Sequence, residues 1–418
     1  MAKISRERET KKLQKYIVKC FIMCYYKLVY TLFSCGSVFL NRIYLDNSST
    51  TAPCKEATDA VLYSLTECWG NPSSLHEMGF LAEQEIKKSR EATARLIGAE
   101  PEEIFFNSCG TEGDNTAIIG AAHALKKRGN RIVTTSIEHP AVLETVKRLA
   151  EEGFEIVYLK PDSSGHISDA DIYEAVNEKT VLVSMMLVNN EIGSVLPVEV
   201  CKKAITAAGS PALLHTDAVQ AFGKLPINVK KLGVDMLTLS GHKIHAPKGI
   251  GALYIRKGVH IKPFITGGGQ ESGMRSGTES VPLIAGLGAA IRALPDLNTQ
   301  LKKQSELLNY TKDVLKQNGI GVINSPDDAL PYILNISVEG YKSETLLHFL
   351  EADGIYVSSG SACSKGKGSY VLSEMGLPQK RADSSLRISF SRFNTKEDSD
   401  KLAESLKKAV NKLRRSDK

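Results

Sequence analysis

The sequence lacks most of the features that mark specialised classes of protein. Glycine (33) and proline (15) together make up only 48 of its 418 residues, so neither a fibrous repeat nor wholesale disorder is expected. Its eight cysteines form no Cys-x-x-C pair and show no Cys/His spacing, which argues against a structural zinc site and a disulfide scaffold. The same scatter fits a reducing compartment, in which free thiols can take part in chemistry.

Excess charge is also absent from most of the chain. Residues 1–42 carry nine Lys/Arg against two Asp/Glu, whereas the remainder carries 44 basic and 45 acidic residues. The body is therefore near neutral, and we expect no direct binding of nucleic acid.

A single long apolar run lies at residues 21–40, interrupted by Lys27 and preceded by basic residues. Its length and flank permit a signal anchor or a targeting segment. An unstructured extension or a misassigned start fits residues 1–41 as well. We expect a cytoplasmic protein, with a membrane-anchored or organelle-targeted form through residues 1–41 as the alternative.

From Arg42 onward, short apolar runs alternate with amphipathic stretches. Strands are predicted over 103–108, 131–136, 155–159, 181–188, 212–215, 236–240 and 252–255, with helices such as 111–128, 140–152 and 169–176 between them. This alternation predicts an α/β fold in which a mostly parallel sheet is sandwiched by helices. We expect a large domain over 53–297 and a smaller α+β C-terminal domain over 298–418, with 42–52 as the N-terminal segment of the small domain.

Polar side chains follow nearly every predicted strand. Cys109-Gly110-Thr111 follows the first and opens a helix, as a phosphate-binding turn does. The later strands end near His139, Asn190, Asp217 and Gln220, and at Ser240-Gly241-His242-Lys243. Because ligands bind beyond the carboxyl ends of strands in such sheets, we expect one site along this edge.

Lys243 stands at the centre of that edge and is poorly explained as a solvated charge. A lysine that forms a Schiff base, an aspartate for a pyridinium nitrogen and a phosphate-binding turn together indicate pyridoxal phosphate. Asp217 supplies the carboxylate. The other expected ligands are Gln220 or Asn190 at the phenolic oxygen, His139 on the ring face, and Thr111, Ser240 and His242 at the phosphate.

Other glycine-rich segments do not fit nucleotide sites. Gly267-Gly268-Gly269 lacks the strand–turn–helix context of a dinucleotide fingerprint. Lys248-Gly249-Ile250-Gly251 lacks the spacing of a P-loop.

A second chemical feature is the run of small residues at 358–369. It carries one cysteine, Cys363, followed by Lys365 and Lys367, which favour its thiolate. Such composition is typical of a loop with conformational freedom, so we expect Cys363 to be a reactive thiol.

These residues resemble the NifS/IscS-type cysteine desulfurases of the class V aminotransferase superfamily, which have the fold-type I architecture of pyridoxal-phosphate enzymes. The motifs that carry the resemblance are Tyr-Leu-Asp-Asn-Ser-Ser-Thr-Thr (44–51), Gly-Asn-Pro-Ser-Ser-Leu-His (70–76), Cys-Gly-Thr-Glu-Gly-Asp-Asn (109–115), Glu-His-Pro-Ala-Val-Leu (138–143), Val-Asn-Asn-Glu-Ile-Gly (188–193), His-Thr-Asp-Ala-Val-Gln (215–220), Ser-Gly-His-Lys (240–243), Gly-Met-Arg-Ser-Gly-Thr (273–278) and Gly-Ser-Ala-Cys (360–363). They span residues 44 to about 395.

The resemblance implies a role for each matching residue. Lys243 would hold pyridoxal phosphate, and Asp217 would pair with its ring nitrogen. Arg387 would bind the carboxylate of L-cysteine, and Asn190 would also contact the substrate. The remaining cofactor contacts would come from Gly110, Thr111, His139, Asn190, Gln220, Ser240 and His242, and from Thr278 of a second subunit. Cys363 would take the substrate sulfur as a persulfide and release L-alanine, and His139 would also serve in catalysis.

The implied partners are a second copy of the chain and a sulfur-acceptor protein, either an iron–sulfur scaffold or a tRNA-thiolation protein. Two departures stand out: the loop after Cys363 is shorter and richer in lysine than is common, and Ser391 replaces a frequent glycine. A selenocysteine lyase or another class V lyase is the alternative function, and a non-catalytic scaffold for sulfur carriers is a further one.

Overall fold

The computed structural model describes residues 42–359 and 368–415 of the chain. Contacts between residues divide the chain into two units, Met1–Ile43 and Tyr44–Lys418. The apolar run at 21–40 and Cys363 lie outside the described residues. Within the described ranges, no helix is both long and apolar enough to cross a membrane.

A seven-stranded sheet forms the centre of the second unit. The strands of the described chain are β1 (Ile43–Tyr44), β2 (Ile104–Asn107), β3 (Arg131–Thr135), β4 (Glu155–Leu159), β5 (Thr180–Ser184), β6 (Leu213–Asp217), β7 (Met236–Ser240), β8 (Gly251–Ile255), β9 (Val322–Ile323), β10 (Ile333–Ser337), β11 (Ile355–Tyr356) and β12 (Ser385–Ser389). The central sheet has the order β2-β8-β7-β6-β5-β3-β4, with β8 antiparallel to both of its neighbours and all other pairs parallel.

This arrangement follows from the apolar character of the strands. Strands β5, β7 and β8 are buried along their whole length, as expected when helices cover both faces of a parallel sheet. Since only β8 runs against the rest, the carboxyl ends of the other six strands meet at one edge. The predicted α/β fold class is confirmed.

Helices separate most of the strands. They are α1 (Lys55–Thr66), α2 (Glu77–Ile97), α3 (Gly110–Leu125), α4 (Pro140–Glu151), α5 (Asp169–Ala175), α6 (Val198–Ala207), α7 (Val229–Leu232), α8 (Val281–Arg292), α9 (Leu297–Gln317), α10 (Ser343–Ala352), α11 (Tyr370–Glu374), α12 (Gln379–Asp383) and α13 (Lys396–Lys412). Their ends follow local sequence signals: the His76 ring accepts a hydrogen bond from Gly79 N at 3.3 Å, and Gly98 ends the same helix in the left-handed conformation.

A second, three-stranded antiparallel sheet has the order β12-β10-β9. The segment 45–51 lies between this sheet and the central one. Ser48 N donates to Ser389 Oγ at 2.8 Å, and Thr51 N donates to His242 O at 2.9 Å. The expected boundaries at 42–52, 53–297 and 298–418 stay predictions.

The strand predicted over 181–188 is shorter than expected and ends at Ser184. Beyond it, Leu187 N still donates to Asp217 O at 2.9 Å, but Val188 forms a bridge with Val195 instead of continuing the parallel ladder. The hairpin between them places Asn189, Asn190 and Glu191 at the carboxyl edge of the sheet.

Helices α2 and α8 approach each other closely at Gly288. A Cβ at this position would lie 2.2 Å from Ser89 Oγ and 2.8 Å from Ser89 Cα. We therefore expect Gly288→Ala to lower the free energy of unfolding by about 1–3 kcal/mol, because the two helices must move apart. Urea unfolding measures this change.

The matched control is the double variant Ser89→Gly/Gly288→Ala, which removes most of the atoms that the new methyl group would meet. It should be less destabilised than the sum of the two single variants. Strict additivity would contradict close contact as the cause.

Candidate active site

A cavity of about 420 Å³ lies at the carboxyl edge of the central sheet. Its walls include ten residues that the sequence placed in one site: Gly110, Thr111, His139, Asn190, Asp217, Gln220, Ser240, His242, Lys243 and Arg387. They come from five strand ends of the central sheet and from β12. The structure thus brings together residues as far apart in the sequence as Gly110 and Arg387, which are 277 positions apart.

Lys243 enters the cavity from a short 3-10 turn, Gly241–Lys243, that follows strand β7. Its Nζ donates to the carbonyl oxygens of Ser48 and, at 2.8 Å, of Ser49. Backbone carbonyls of the 45–51 segment therefore hold the amine at the centre of the cavity.

Asp217 is the last residue of strand β6 and is 6% exposed. Its Oδ1 accepts a hydrogen bond from Val219 N at 2.8 Å. Burial raises the pKa of the Asp217 carboxyl, and the nearby His139 and Lys243 oppose that shift. A cationic group of a ligand would stabilise the carboxylate in the same way.

His139 caps the N-terminus of helix α4. Its Nδ1 accepts a hydrogen bond from Ala141 N at 3.1 Å, so the hydrogen of the neutral ring is on Nε2. Burial is the main cause that lowers the pKa of His139. The charge of Asp217 raises this pKa, and the charge of Lys243 lowers it further. The residue presents a neutral imidazole to the cavity.

The N-terminus of helix α3 faces the cavity at Gly110 and Thr111. The first N–H groups of a helix have no partner within it, and Cys109 provides no side-chain cap. A Cβ at Gly110 would lie 2.8 Å from Val219 Cγ2, so the turn needs glycine there. Among the described atoms, Ser240 Oγ is buried without a hydrogen-bond partner.

His242 completes this end of the cavity. Its Nδ1 lies 3.2 Å from Thr50 Oγ1, and burial, together with Lys243 and other cations, lowers the pKa of the ring to about 4. The donors at this end therefore suit an anion such as a phosphate.

Arg387 lies on strand β12 and reaches the opposite side of the cavity. Its Nη1 donates to Asn190 O at 3.0 Å, and its Nη2 donates to Asp46 Oδ1 at 2.8 Å and to Ser49 Oγ. In the described part of the chain, Arg387 Nε and Asn190 Oδ1 are buried without a hydrogen-bond partner. A guanidinium with spare donors suits the carboxylate of a small substrate.

These features fit pyridoxal phosphate. The helix terminus and Ser240 match its phosphate, Asp217 matches a protonated ring nitrogen, and Lys243 is an amine beside both. The buried polar atoms Ser48 Oγ, Asn190 Oδ1 and Ser240 Oγ all belong to cavity residues and are unsatisfied within the described chain, as expected for atoms that contact a ligand.

Of the predicted site residues in the described ranges, Thr278 alone does not line the cavity. Thr278 is exposed and lies between a short 3-10 helix, Glu271–Gly273, and α8. Cys363 belongs to the part of the chain that is not described. The roles of all predicted site residues remain predictions at this point.

Sequence reasoning missed several buried ionisable groups around the cavity. Burial raises the pKa of Glu138 to about 8 and that of Glu191 to about 7, and it lowers the pKa of Lys224 to about 7. Glu138 and Glu191 adjoin His139 and Asn190 in the sequence, so their proximity was a usable signal. Nothing local marks Lys224, which lies four residues after Gln220.

Asp114 and His215 are two further buried groups near Asp217, and His215 Nε2 lies 3.6 Å from Asp114 Oδ1. His215 Nδ1 lies 2.9 Å from Ser184 Oγ, and its Nε2 lies 3.0 Å from Thr238 Oγ1. Burial and the charge of Asp217 raise the pKa of Asp114. In the described ranges, no group of three or more His, Cys, Asp and Glu side chains is arranged to hold a metal ion.

Comparisons with known proteins agree with this geometry. The aminotransferase class-V family model matches residues 43–402. The cysteine desulfurase IscS of Methanosarcina thermophila is 43% identical over 378 residues, which is 89% of this chain and 93% of that protein.

Solved structures show the same similarity. A NifS-like protein is 38% identical with a TM-score of 0.84, covering 89% of this chain and all of its own. A structure described as SspA in complex with cysteine is 34% identical with a TM-score of 0.76, covering 85% of this chain and 100% of its own.

The raised pKa of Glu138 predicts a pH-dependent stability. Between about pH 5 and 8 the folded protein keeps a proton that the unfolded carboxyl loses, so the free energy of unfolding falls as pH rises through this window. Glu138→Gln keeps an acceptor for Thr135 Oγ1 and Met186 N and cannot ionise. It should flatten the dependence by up to about 1.4 kcal/mol per pH unit.

Urea unfolding at several pH values measures this slope. Glu144→Gln is the matched control, because Glu144 lies six residues after Glu138, on helix α4, and its side chain is 72% exposed. A slope in Glu138→Gln that equals the slope of the Glu144→Gln control would contradict the prediction.

Proposed function

The chain belongs to the aminotransferase class-V family and is a cysteine desulfurase, and we propose that Lys243, Arg387 and Cys363 divide its reaction between them. The observation that supports this division most is the meeting of Lys243, Asp217 and Arg387 in one cavity. Lys243 and Asp217 suit the cofactor, and Arg387 suits the carboxylate of L-cysteine.

Cysteine desulfurases of this family depend on pyridoxal phosphate, and the cavity residues suit its parts. Lys243 would hold the cofactor covalently, Asp217 would pair with its ring nitrogen, and His139 would lie against its face. Gly110, Thr111, Ser240 and His242 would bind the phosphate, with Asn190 and Gln220 at the ring substituents. When bound, the cofactor supplies an electron sink that weakens the Cα–H and Cβ–S bonds of the substrate.

Lys243 would also move protons during the reaction. Its amine would accept the α-proton of L-cysteine and later return a proton to the carbon framework. Support comes from the carbonyls of Ser48 and Ser49, which hold Nζ within the cavity. The neutral imidazole of His139, with its hydrogen on Nε2, would relay a proton in the same cavity.

Arg387 would orient the substrate through its carboxylate. The guanidinium is 4% exposed and is already fixed by Asn190 O and Asp46. Such fixation lowers the entropy that a bidentate contact loses on binding.

Cys363 would receive the sulfur. Its thiolate attacks the substrate sulfur, a new S–S bond forms, and the Cβ–S bond breaks with its electron pair retained on carbon. Protonation of that carbon gives L-alanine, and Cys363 keeps a persulfide. The reaction needs no external oxidant, because the oxidation of sulfur to the persulfide is balanced by the reduction of the substrate Cβ. A sulfur-acceptor protein, either an iron–sulfur scaffold or a tRNA-thiolation protein, would then take the sulfur in the cytoplasm.

A second copy of the chain would complete the cofactor site with Thr278. Support comes from the exposure of Thr278 and from an unusual density of exposed large apolar side chains in residues 62–81, namely Leu62, Tyr63, Leu65, Trp69, Leu75, Phe80 and Leu81. Such a patch is typical of a protein–protein interface.

Cys363→Ala should abolish persulfide formation and sulfur transfer while the absorbance of bound cofactor remains, because Lys243 is untouched. The measurement is sulfur release from L-cysteine beside an absorbance spectrum. Cys109→Ala is the matched control, since Cys109 also lines the cavity, and it should retain activity. If only the Cys109 variant lost activity, Cys109 rather than Cys363 would be the thiol that takes the sulfur, which would contradict the proposal.

Disruption of the apolar patch should separate the subunits. For Leu65→Lys/Trp69→Glu we expect a monomer in light scattering and weaker retention of the cofactor, because Thr278 no longer reaches it. Tyr173→Lys, at an exposed apolar residue outside the patch, serves as the control and should remain dimeric. A wild-type protein that is monomeric would contradict the proposal directly.

A further inference from the structure

Lys224 is a buried cation that the proposed reaction does not use. It lies on the turn after strand β6 and is 5% exposed. Its Nζ donates to Gln220 Oε1 at 3.1 Å and lies 5.7 Å from the centre of the Tyr332 ring. In the described part of the chain, no carboxylate lies within ion-pair distance of it. Burial of an uncompensated lysine is costly, which suggests a function for it.

Gln220 connects Lys224 to the active-site cavity. Its Oε1 accepts from Lys224, and its Nε2 donates to Ser48 O at 3.0 Å. Ser48 O also accepts from Lys243 Nζ. A continuous series of hydrogen bonds therefore runs from Lys224 through Gln220 and Ser48 to Lys243.

The two contacts of Gln220 fix which way its amide group faces. A backbone carbonyl only accepts hydrogen bonds, so Nε2 must face Ser48. An ammonium group only donates, so Oε1 must face Lys224. Nε2 carries two hydrogens, of which Ser48 takes one, and Gln220 lines the cavity. The second hydrogen is left for a ligand.

We propose that Lys224 is a positioning residue that fixes the Gln220 amide as a hydrogen-bond donor toward an anionic oxygen of the bound cofactor. This inference rests on the proposed function, since it needs pyridoxal phosphate in the cavity. Without Lys224, only the contact with Ser48 O opposes rotation of the amide, so orientations that present its oxygen to the cofactor become more populated. A donor facing the cofactor oxygen favours its deprotonated form, whereas an acceptor disfavours it.

The surroundings of Lys224 are cationic on most sides. Lys243 and Arg387 contribute to the lowered pKa of Lys224, after burial as the main cause. His242, His245 and Arg392 also lie near, and Tyr332 and Gln300 complete the small cavity that Lys224 shares with Lys243. Among the carboxylates of the active-site region, Asp217 lines the cavity and Asp46 accepts a hydrogen bond from Arg387. Loss of the positive charge of Lys224 would shift the pKa of the bound cofactor in the same direction as rotation of the Gln220 amide.

The test is a spectrophotometric pH titration of the bound cofactor in the holoenzyme. In Lys224→Met, the pH midpoint of the absorbance change should rise by at least about half a pH unit, because the Gln220 amide is no longer held as a donor toward the cofactor. Lys224→Arg keeps a donor for Gln220 Oε1 and should restore the wild-type midpoint. The exposed Lys230→Met is the matched control and should not shift it.

A double variant separates positioning from a direct charge effect. If Lys224 acts through Gln220, Lys224→Met/Gln220→Ala should have the midpoint of Gln220→Ala alone. Additive shifts, or no shift in Lys224→Met, would overturn the inference. If Lys224→Met does not fold, Lys224→Ala enters the same comparison.

Different experimental results would overturn this inference and the proposed function. A wild-type protein without cofactor absorbance, or one that forms no alanine from L-cysteine, overturns the proposed function. Wild-type absorbance and activity with an unchanged midpoint in Lys224→Met overturn only the role of Lys224.

Discussion

The active-site cavity depends on the short segment 45–51, which is held between the two sheets. Its carbonyls at Ser48 and Ser49 accept hydrogen bonds from Lys243, which follows strand β7 of the central sheet. The same segment bonds to Ser389 and Arg387 on strand β12. If this segment moved away, Lys243, Gln220 and Arg387 would each lose a partner at once. The chemistry of the cavity and the arrangement of the two sheets therefore rest on one set of contacts.

Burial of ionisable groups gives the cavity its electrostatic character. Glu138, Glu191 and Asp114 are carboxyls whose pKa values burial raises, and Lys224 and His215 are bases whose pKa values burial lowers. Desolvation therefore favours the uncharged forms of these carboxyls and of His215, whereas Lys224 donates to Gln220 Oε1. Neutral carboxyls around Asp217 and Lys243 do not compete with the charged groups of a bound cofactor and substrate.

Much of the fold and of the site was predictable from the sequence. Alternating apolar runs indicated the strands to within a few residues, because buried parallel strands tolerate few polar side chains. Asp217 and Lys243 were identifiable since reactive side chains at strand ends converge in this fold. The contacts of Ser48 and Ser49 were not, because they use backbone carbonyls that every residue has. Lys224 and the orientation of Gln220 also required coordinates, since burial and hydrogen-bond direction leave no local pattern.

The central claim is that Cys363 takes the sulfur, while Lys243 holds the cofactor and moves protons and Arg387 binds the substrate carboxylate. Its most direct test is peptide mass spectrometry of the wild-type enzyme after one equivalent of L-cysteine, with alanine measured in the same sample. The account predicts one additional sulfur atom on the peptide that contains Cys363 and one alanine for each sulfur bound. Sulfur on the Cys109 peptide, or alanine formed with no sulfur on Cys363, would contradict it.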